Sequence, residues 1–147
     1  MFAEFGGPAP QAFASLSDLS RVLHNDLEDG VAPRFWAPGV VLLGDAAHAV
    51  TPNLGQGAGL AIEDGCCLAA LLETGERDAQ LARYEALRKP RATWICDNSY
   101  FFGRVAQLDS APLRWLRDAA IRLTPARQSQ AMYRRIVTDM PGVPIRT

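Results

Sequence analysis

Nine residues, Val40-Val41-Leu42-Leu43-Gly44-Asp45-Ala46-Ala47-His48, constrain the fold of this chain more than any other stretch. The four consecutive aliphatics predict a strand over residues 40–44, covered on both faces. The strand ends in a carboxylate, and an acid after an apolar run is expensive unless something partners it. Pro52 and the run Gly55-Gln56-Gly57-Ala58-Gly59 follow, and from there the pattern turns helical. This order brings one carboxylate and a set of free backbone N–H groups into the same small volume. Such a volume suits a ligand that carries both hydroxyls and a partly anionic ring.

Each of these residues has a plain structural reading beside the functional one. Asp45 can accept local backbone hydrogen bonds at the strand end, or it can accept from the hydroxyls of a ligand. Gly44 lets a ligand approach the backbone with no side chain in the way. The glycines around Gln56 permit close packing, and they leave amides facing outward at a helix start, where the dipole adds roughly 0.3–1 kcal/mol for negative charge. Pro52 fixes the path of the loop between acid and helix. His48 fits a satisfied structural histidine better than a ligand-orienting one. Glu63 and Asp64 read as structural acids that pair with an arginine. Arg88 and Arg91, which share a helix face with Tyr84, are the candidates for that pairing, with Asp45 as a further acid in reach.

The rest of the chain reads as mostly α-helical. Residues 1–10 are rich in Gly and Pro and look irregular. Helical spacing follows over 11–16 and 18–24, with Ser17 as a cap for the second piece. A short extended stretch is expected at 25–28, a turn at Asp29-Gly30, and a loop over 33–39. Leu60, Cys67, Leu68 and Leu71 mark the first long helix, with Gly75 as its stop. A second helix starts near Asp78, buries Leu81, Tyr84, Leu87 and Ile95, kinks or restarts at Pro90, and runs to about Leu108. Two more helical pieces cover 113–123 and 126–139. With one clear strand, the chain does not build a doubly wound sheet unaided.

Composition narrows the class. A chain of 147 residues, 48% apolar, buries one modest core. No run of about 18 apolar residues predicts a membrane span, and no basic-then-apolar opening predicts a secretory leader. Three cysteines without paired spacing argue for reduced thiols in a cytoplasmic protein, and with two histidines a structural zinc site is not expected. The net charge of −1 hides an asymmetry, because residues 1–80 hold three basic and eleven acidic side chains whereas 111–147 hold seven arginines and two aspartates. That tail reads as a solvated helix face, or as a surface for an acidic partner. Aromatics that would stack bases are sparse there, so nucleic acid is not an expected partner.

The full string GDAAHAVTPNLGQGAGLAIEDG, residues 44–65, resembles the second flavin-contacting motif of the FAD-dependent aromatic hydroxylases, the single-component flavoprotein monooxygenases. The run Tyr84-Glu85-Ala86-Leu87-Arg88-Lys89-Pro90-Arg91-Ala92 is similar to the YExxRxPRA segment of the same family. The resemblance covers residues 25–123 and corresponds to the C-terminal part of a member. It implies an α/β parent fold, FAD-binding and Rossmann-like, divided here into a remnant of the substrate or linking region (1–39), the flavin-ring side of the FAD-binding domain (40–124) and a C-terminal helix with tail (125–147). It also implies that Asp45 binds the ribityl chain, that Pro52 lines the ring, and that Gly57, Ala58 and Gly59 present amides to the pyrimidine edge, with Gly44, Gly55 and Gln56 also counted among the cofactor-binding residues. Many members have Asn where this chain has Gly59, so a side-chain contact is lost there and a backbone contact survives. In the family, NAD(P)H reduces FAD and an oxygen atom of O2 reaches a small aromatic ring, with water excluded.

The chain departs from the family in what it lacks. No GxGxxG follows a strand, so the site for the ADP half of FAD is not here. The central Asp-Gly segment of the family is also missing, since Asp29-Gly30 and Asp64-Gly65 stand in the wrong order and context. A truncated frame, or one half of a protein completed by an amino-terminal part with GxGxxG, is therefore expected. No catalytic residue and no metal ligand is assigned. Two readings stay open: the FAD-binding part of a monooxygenase, and a non-catalytic helical fragment or interaction module without FAD.

Overall fold

The computed structural model describes residues 6–16, 18, 20, 22–23, 25–73 and 75–142. Helix α1 (Ala9–Ala14) precedes four two-residue strands, β1 (Gly30–Val31), β2 (Trp36–Ala37), β3 (Val40–Val41) and β4 (His48–Ala49). Two short 3-10 turns, Gly44–Ala46 and Pro52–Leu54, flank β4. Helices α2 (Gly57–Leu72), α3 (Arg77–Ala106), α4 (Ala111–Leu123) and α5 (Ala126–Val137) complete the chain. No helix among the described residues is long and apolar enough to cross a membrane.

The helices follow the spacing of the apolar residues. α2 ends at Leu72, and Gly75 takes a positive φ of 79° two residues beyond its Glu73 cap. The Glu76 carboxylate then caps α3 by accepting from the amides of Asp78 and Ala79. Pro90 lies inside α3 and does not divide it. Pro90 and Ala86 are both exposed, so water reaches the carbonyl that the missing N–H leaves free, while the opposite face is anchored by buried Tyr84, Arg88 and Arg91. α1 begins at Ala9, earlier than the expected 11, because Pro10 fits the first turn of a helix. The expected helix over 18–24 and its Ser17 cap fall partly outside the described residues.

The expected single strand at 40–44 is corrected in two ways. Only Val40–Val41 is strand, and it pairs antiparallel with Trp36–Ala37 across Pro38-Gly39, within the stretch read as a loop. Val40 is 57% exposed and Leu43 42%, so the run is not covered on both faces. Among the described residues its single pairing partner is the β2 arm, which leaves the other edge and one face open. A second antiparallel pair joins β1 to β4, with Gly30 opposite Ala49 where a turn was expected. The hydrogen bonds Ala32 N–H to Ala47 (2.8 Å) and Leu42 N–H to Phe35 (2.7 Å) extend the two pairs.

α2 and α3 pack along each other, and the strands lie against α3. Between them sits the core of Phe35, Ala47, Cys67, Tyr84 and Ala92. Each large apolar side chain buried there contributes about 1.5–3 kcal/mol. Phe35 is fully buried, and its amide donates to Glu85 Oε2 at 2.7 Å. The Tyr84 hydroxyl donates to the Leu42 carbonyl at 3.1 Å, tying the β3 exit to α3. Burial, and then the Asp64 charge, raise the Tyr84 pKa well above its ordinary value, so it stays a donor. All three cysteines are free thiols, and burial pushes Cys96 up to about 11.

Candidate functional site

The turn after β3 is seated on α2. Gly44 has φ +58° and is buried, and a Cβ there would stand 3.1 Å from the Ala61 Cβ. Its amide donates to Asp64 Oδ2 at 3.1 Å. This seating turns Asp45, the next residue, outward into an open cleft of about 620 Å³. Asp45, Pro52, Gly55, Gly57 and Ala58 line the cleft, together with Val50 and Ala61. Among the described residues, Asp45 pairs with neither Arg88 nor Arg91, whose partners are Glu63 and Asp64.

Three expected residues stand behind this surface. Gly44 faces α2, so its missing side chain makes room for Ala61. Gln56 is the N-cap of α2, with Nε2 toward the Leu54 carbonyl at 3.4 Å. Gly59 lies in the first turn, where a Cβ would approach Gln56 Oε1 at 3.6 Å. No side chain caps this helix start and no acid occupies its first turn. The amides of Gly57, Ala58 and Gly59 thus have no acceptor within the helix, and the positive end of the dipole is not offset locally.

The loop over the cleft is fastened to α3. Ser99, fully buried, donates to the Thr51 carbonyl at 2.6 Å, and the Thr51 hydroxyl donates to Ser99 Oγ at 2.9 Å. Asn53 Nδ2 donates to the Ser99 carbonyl at 2.9 Å and to Thr51 Oγ1 at 3.1 Å. A side chain at Gly103 would collide with that amide. Sequence reasoning missed this clasp, although Ser99 and Gly103, small residues four apart on one helix face, were its signal.

Below the turn lies a buried ionic cluster. His48 Nε2 is 2.6 Å from Asp64 Oδ2, and Arg88 Nε donates to Asp64 Oδ1 at 2.7 Å. Arg88 Nη2 and Arg91 Nε both reach Glu63 Oε2, at 2.7 and 2.6 Å. Burial pushes the Asp64 pKa up, but the bonds from His48, Arg88 and the Gly44 amide outweigh it and hold the carboxyl below its ordinary value. The same carboxylates raise Arg88 further despite its burial. The pairing of Glu63 and Asp64 with arginines agrees with their reading as structural acids.

A groove of about 690 Å³ on the other face of α3, lined by Trp36, Glu85, Lys89, Pro90, Trp94 and Arg135 among others, takes in none of the turn residues. Arg135 stacks over the Trp94 ring there at 4.3 Å. Among the described residues no cluster of His, Cys, Asp or Glu is arranged to hold a metal.

The chain belongs to the FAD binding domain family, whose model matches residues 11–99. It is 38% identical over 140 residues to the 2-heptyl-3-hydroxy-4(1H)-quinolone synthase of Pseudomonas aeruginosa, covering 95% of this chain and 36% of that protein. It is 40% identical over 114 residues to the salicylate hydroxylase of Pseudomonas putida, covering 66% of this chain and 26% of that one. Among solved structures, an HpxO variant of Klebsiella pneumoniae complexed with FAD superimposes with a TM-score of 0.74, at 27% identity, over 92% of this chain and 36% of that one. The chain thus spans about a quarter to a third of the length of these relatives.

Proposed function

We propose that this chain forms the flavin-ring side of an FAD-dependent monooxygenase that hydroxylates a small aromatic substrate. The observation that carries the reading is the convergence on one cleft of an exposed carboxylate, Asp45, and an uncapped helix start at Gly57–Leu72. The residues fit the cofactor. Asp45 accepts from ribityl hydroxyls, Pro52 supplies an apolar wall for the ring, and the amides of Gly57 and Ala58 donate to its electron-rich edge. When bound, FAD would supply the redox chemistry, with NAD(P)H as the two-electron donor and O2 as the source of the oxygen atom that the aromatic substrate gains, the second oxygen atom ending as water.

The cleft is open, so a further segment must complete it and exclude water. That segment is the amino-terminal part of the parent α/β fold, with GxGxxG for the ADP half. In this reading residues 1–39 belong to the substrate or linking region, 40–124 to the FAD-binding domain, and 125–147 to a C-terminal helix and tail. An aromatic substrate agrees with relatives described as a salicylate hydroxylase and as HpxO complexed with FAD and uric acid.

The test is an FAD titration of the full-length protein, followed by flavin absorbance after desalting. Asp45→Ala should weaken FAD binding by about tenfold to a hundredfold, the range for losing a hydrogen bond to a charged group. Because Asp45 is exposed, the melting temperature of the apoprotein should hardly move. Wild-type affinity in that variant would remove Asp45 from the site.

A further inference from the structure

The ionic cluster beneath the turn reaches further than the turn needs. Glu63 and Asp64 lie about two turns into α2, and both are buried. From Asp64 the chain of contacts runs through Arg88 to Glu63 and on to Arg91, which closes a second bond from Nη2 to Glu63 Oε1 at 2.7 Å. Arg91 then leaves the cluster, donating from Nη1 to the Arg135 carbonyl and from Nη2 to the Ile136 carbonyl, each at 3.0 Å. These carbonyls belong to the last turn of α5, where a cation offsets the negative end of the helix. Arg88 Nη1 reaches the Pro141 carbonyl at 3.4 Å, and Gly142 sits so close to the core that a Cβ there would meet Cys67 Sγ at 2.5 Å.

The charges close among themselves. Two carboxylates face two guanidiniums, and His48 completes the cluster with Nε2 2.6 Å from Asp64 Oδ2. Among the described residues its Nδ1 is buried without a partner. Every remaining bond of Asp64 serves to hold something in place: Gly44 on one side, Arg88 on the other.

We infer that this buried chain positions the cofactor turn from the C-terminal segment: Asp64 holds Gly44 and His48, Arg91 holds the end of α5, and the seating of 135–142 thereby sets the placement of Asp45. Asp64 and Arg91 are positioning residues in this arrangement, and neither lines the cleft. The coupling is a contiguous path of buried ion pairs, the kind of link that has one well-packed arrangement. The mechanical coupling stands on these contacts alone; its effect on cofactor affinity rests on the proposed FAD site.

The experiment uses the full-length protein with two variants. Arg91→Lys keeps a charge for Glu63 but has no planar fork to reach both α5 carbonyls. Gly142→Ala changes no ion-pair or turn residue, and its Cβ, meeting Cys67 and Leu87, pushes 141–142 off the core and with it the Pro141 carbonyl off Arg88. Hydrogen exchange at amides 44–49 is measured in the cofactor-free protein, and FAD affinity by quenching of flavin fluorescence. Exchange over 44–49 should speed up about fivefold or more in both variants, with mid-α3 amides unchanged, and FAD affinity should fall by a similar factor. Wild-type exchange at 44–49 in a folded variant would overturn the coupling, as would acceleration spread evenly over all elements, which marks general destabilisation. Should Arg91→Lys fail to fold, Gly142→Ala decides the matter. Absence of FAD binding in the wild type would count against the proposed function and leave the exchange result standing.

Discussion

The block formed by the turn, α2 and α3 and the pair α4–α5 solve opposite problems. In the first, six polar or charged side chains, His48, Glu63, Asp64, Arg88, Arg91 and Ser99, are buried. In the second no side chain is buried, and Trp115, Leu116, Ile121 and Leu123 are 73%, 58%, 64% and 80% exposed. The buried charges are tolerable because the carboxylates and guanidiniums are matched at 2.6–2.7 Å. The α4 face has the opposite history: its spacing suffices to make a helix, but the described residues give it nothing to pack against. An apolar stripe tells which face seeks burial and says nothing about the partner.

The sharpest way to break this contrast is Arg88→Ala. It strands Asp64 and half of Glu63 in the core and should cost about 3–5 kcal/mol, read from chemical denaturation at pH 7. A loss below about 1 kcal/mol would mean that the cluster is not integral to the fold. The same cluster sets an acid limit. The Asp64 pKa is lowered in the folded state, so its contribution is complete above the ordinary value of 3.8 and fades as pH falls through the lower folded value. The wild type should therefore lose stability below about pH 4 more steeply than Asp64→Asn.

Gly44→Ala comes next. It forces a side chain into φ +58° and against Ala61, for about 1–2 kcal/mol of destabilisation in a thermal melt. An unchanged melt would show that the turn is not seated on α2 as described. The smallest effect belongs to α4, where Leu116→Ser should stay within about 0.5 kcal/mol. A loss above 1 kcal/mol in the full-length protein would show that the stripe is covered there, and the contrast would become one between two interiors.

The helices were legible because their signals are local. Apolar spacing marked α2 and the buried face of α3, and Gly75 marked the break between them. Arg88 and Arg91 could be matched to Glu63 and Asp64 because the arginines stand three apart on one helix face and the acids lie about two turns into the preceding helix. Of the strands only Val40–Val41, the start of the aliphatic run, was legible, since the pairing of Gly30–Val31 with His48–Ala49 depends on contacts 17 or more positions apart. Pro90 misled for a related reason: whether it breaks a helix depends on which face it occupies, and that is decided by Tyr84, Arg88 and Arg91 behind it. At the site, the acid and glycines announced themselves, but the depth of Gly44 and the hold of Asn53, Thr51 and Ser99 on the loop are products of tertiary packing.

That hold has an evolutionary consequence. The Asn53 amide fills the space that any side chain at Gly103 would need, so the two positions share one volume. A relative that gains a methyl group at the second should carry a shorter residue at the first, and its loop over the cleft should then follow a different path. Positions 53 and 103 are therefore expected to change together, and the rest of the Pro52 loop to change with them.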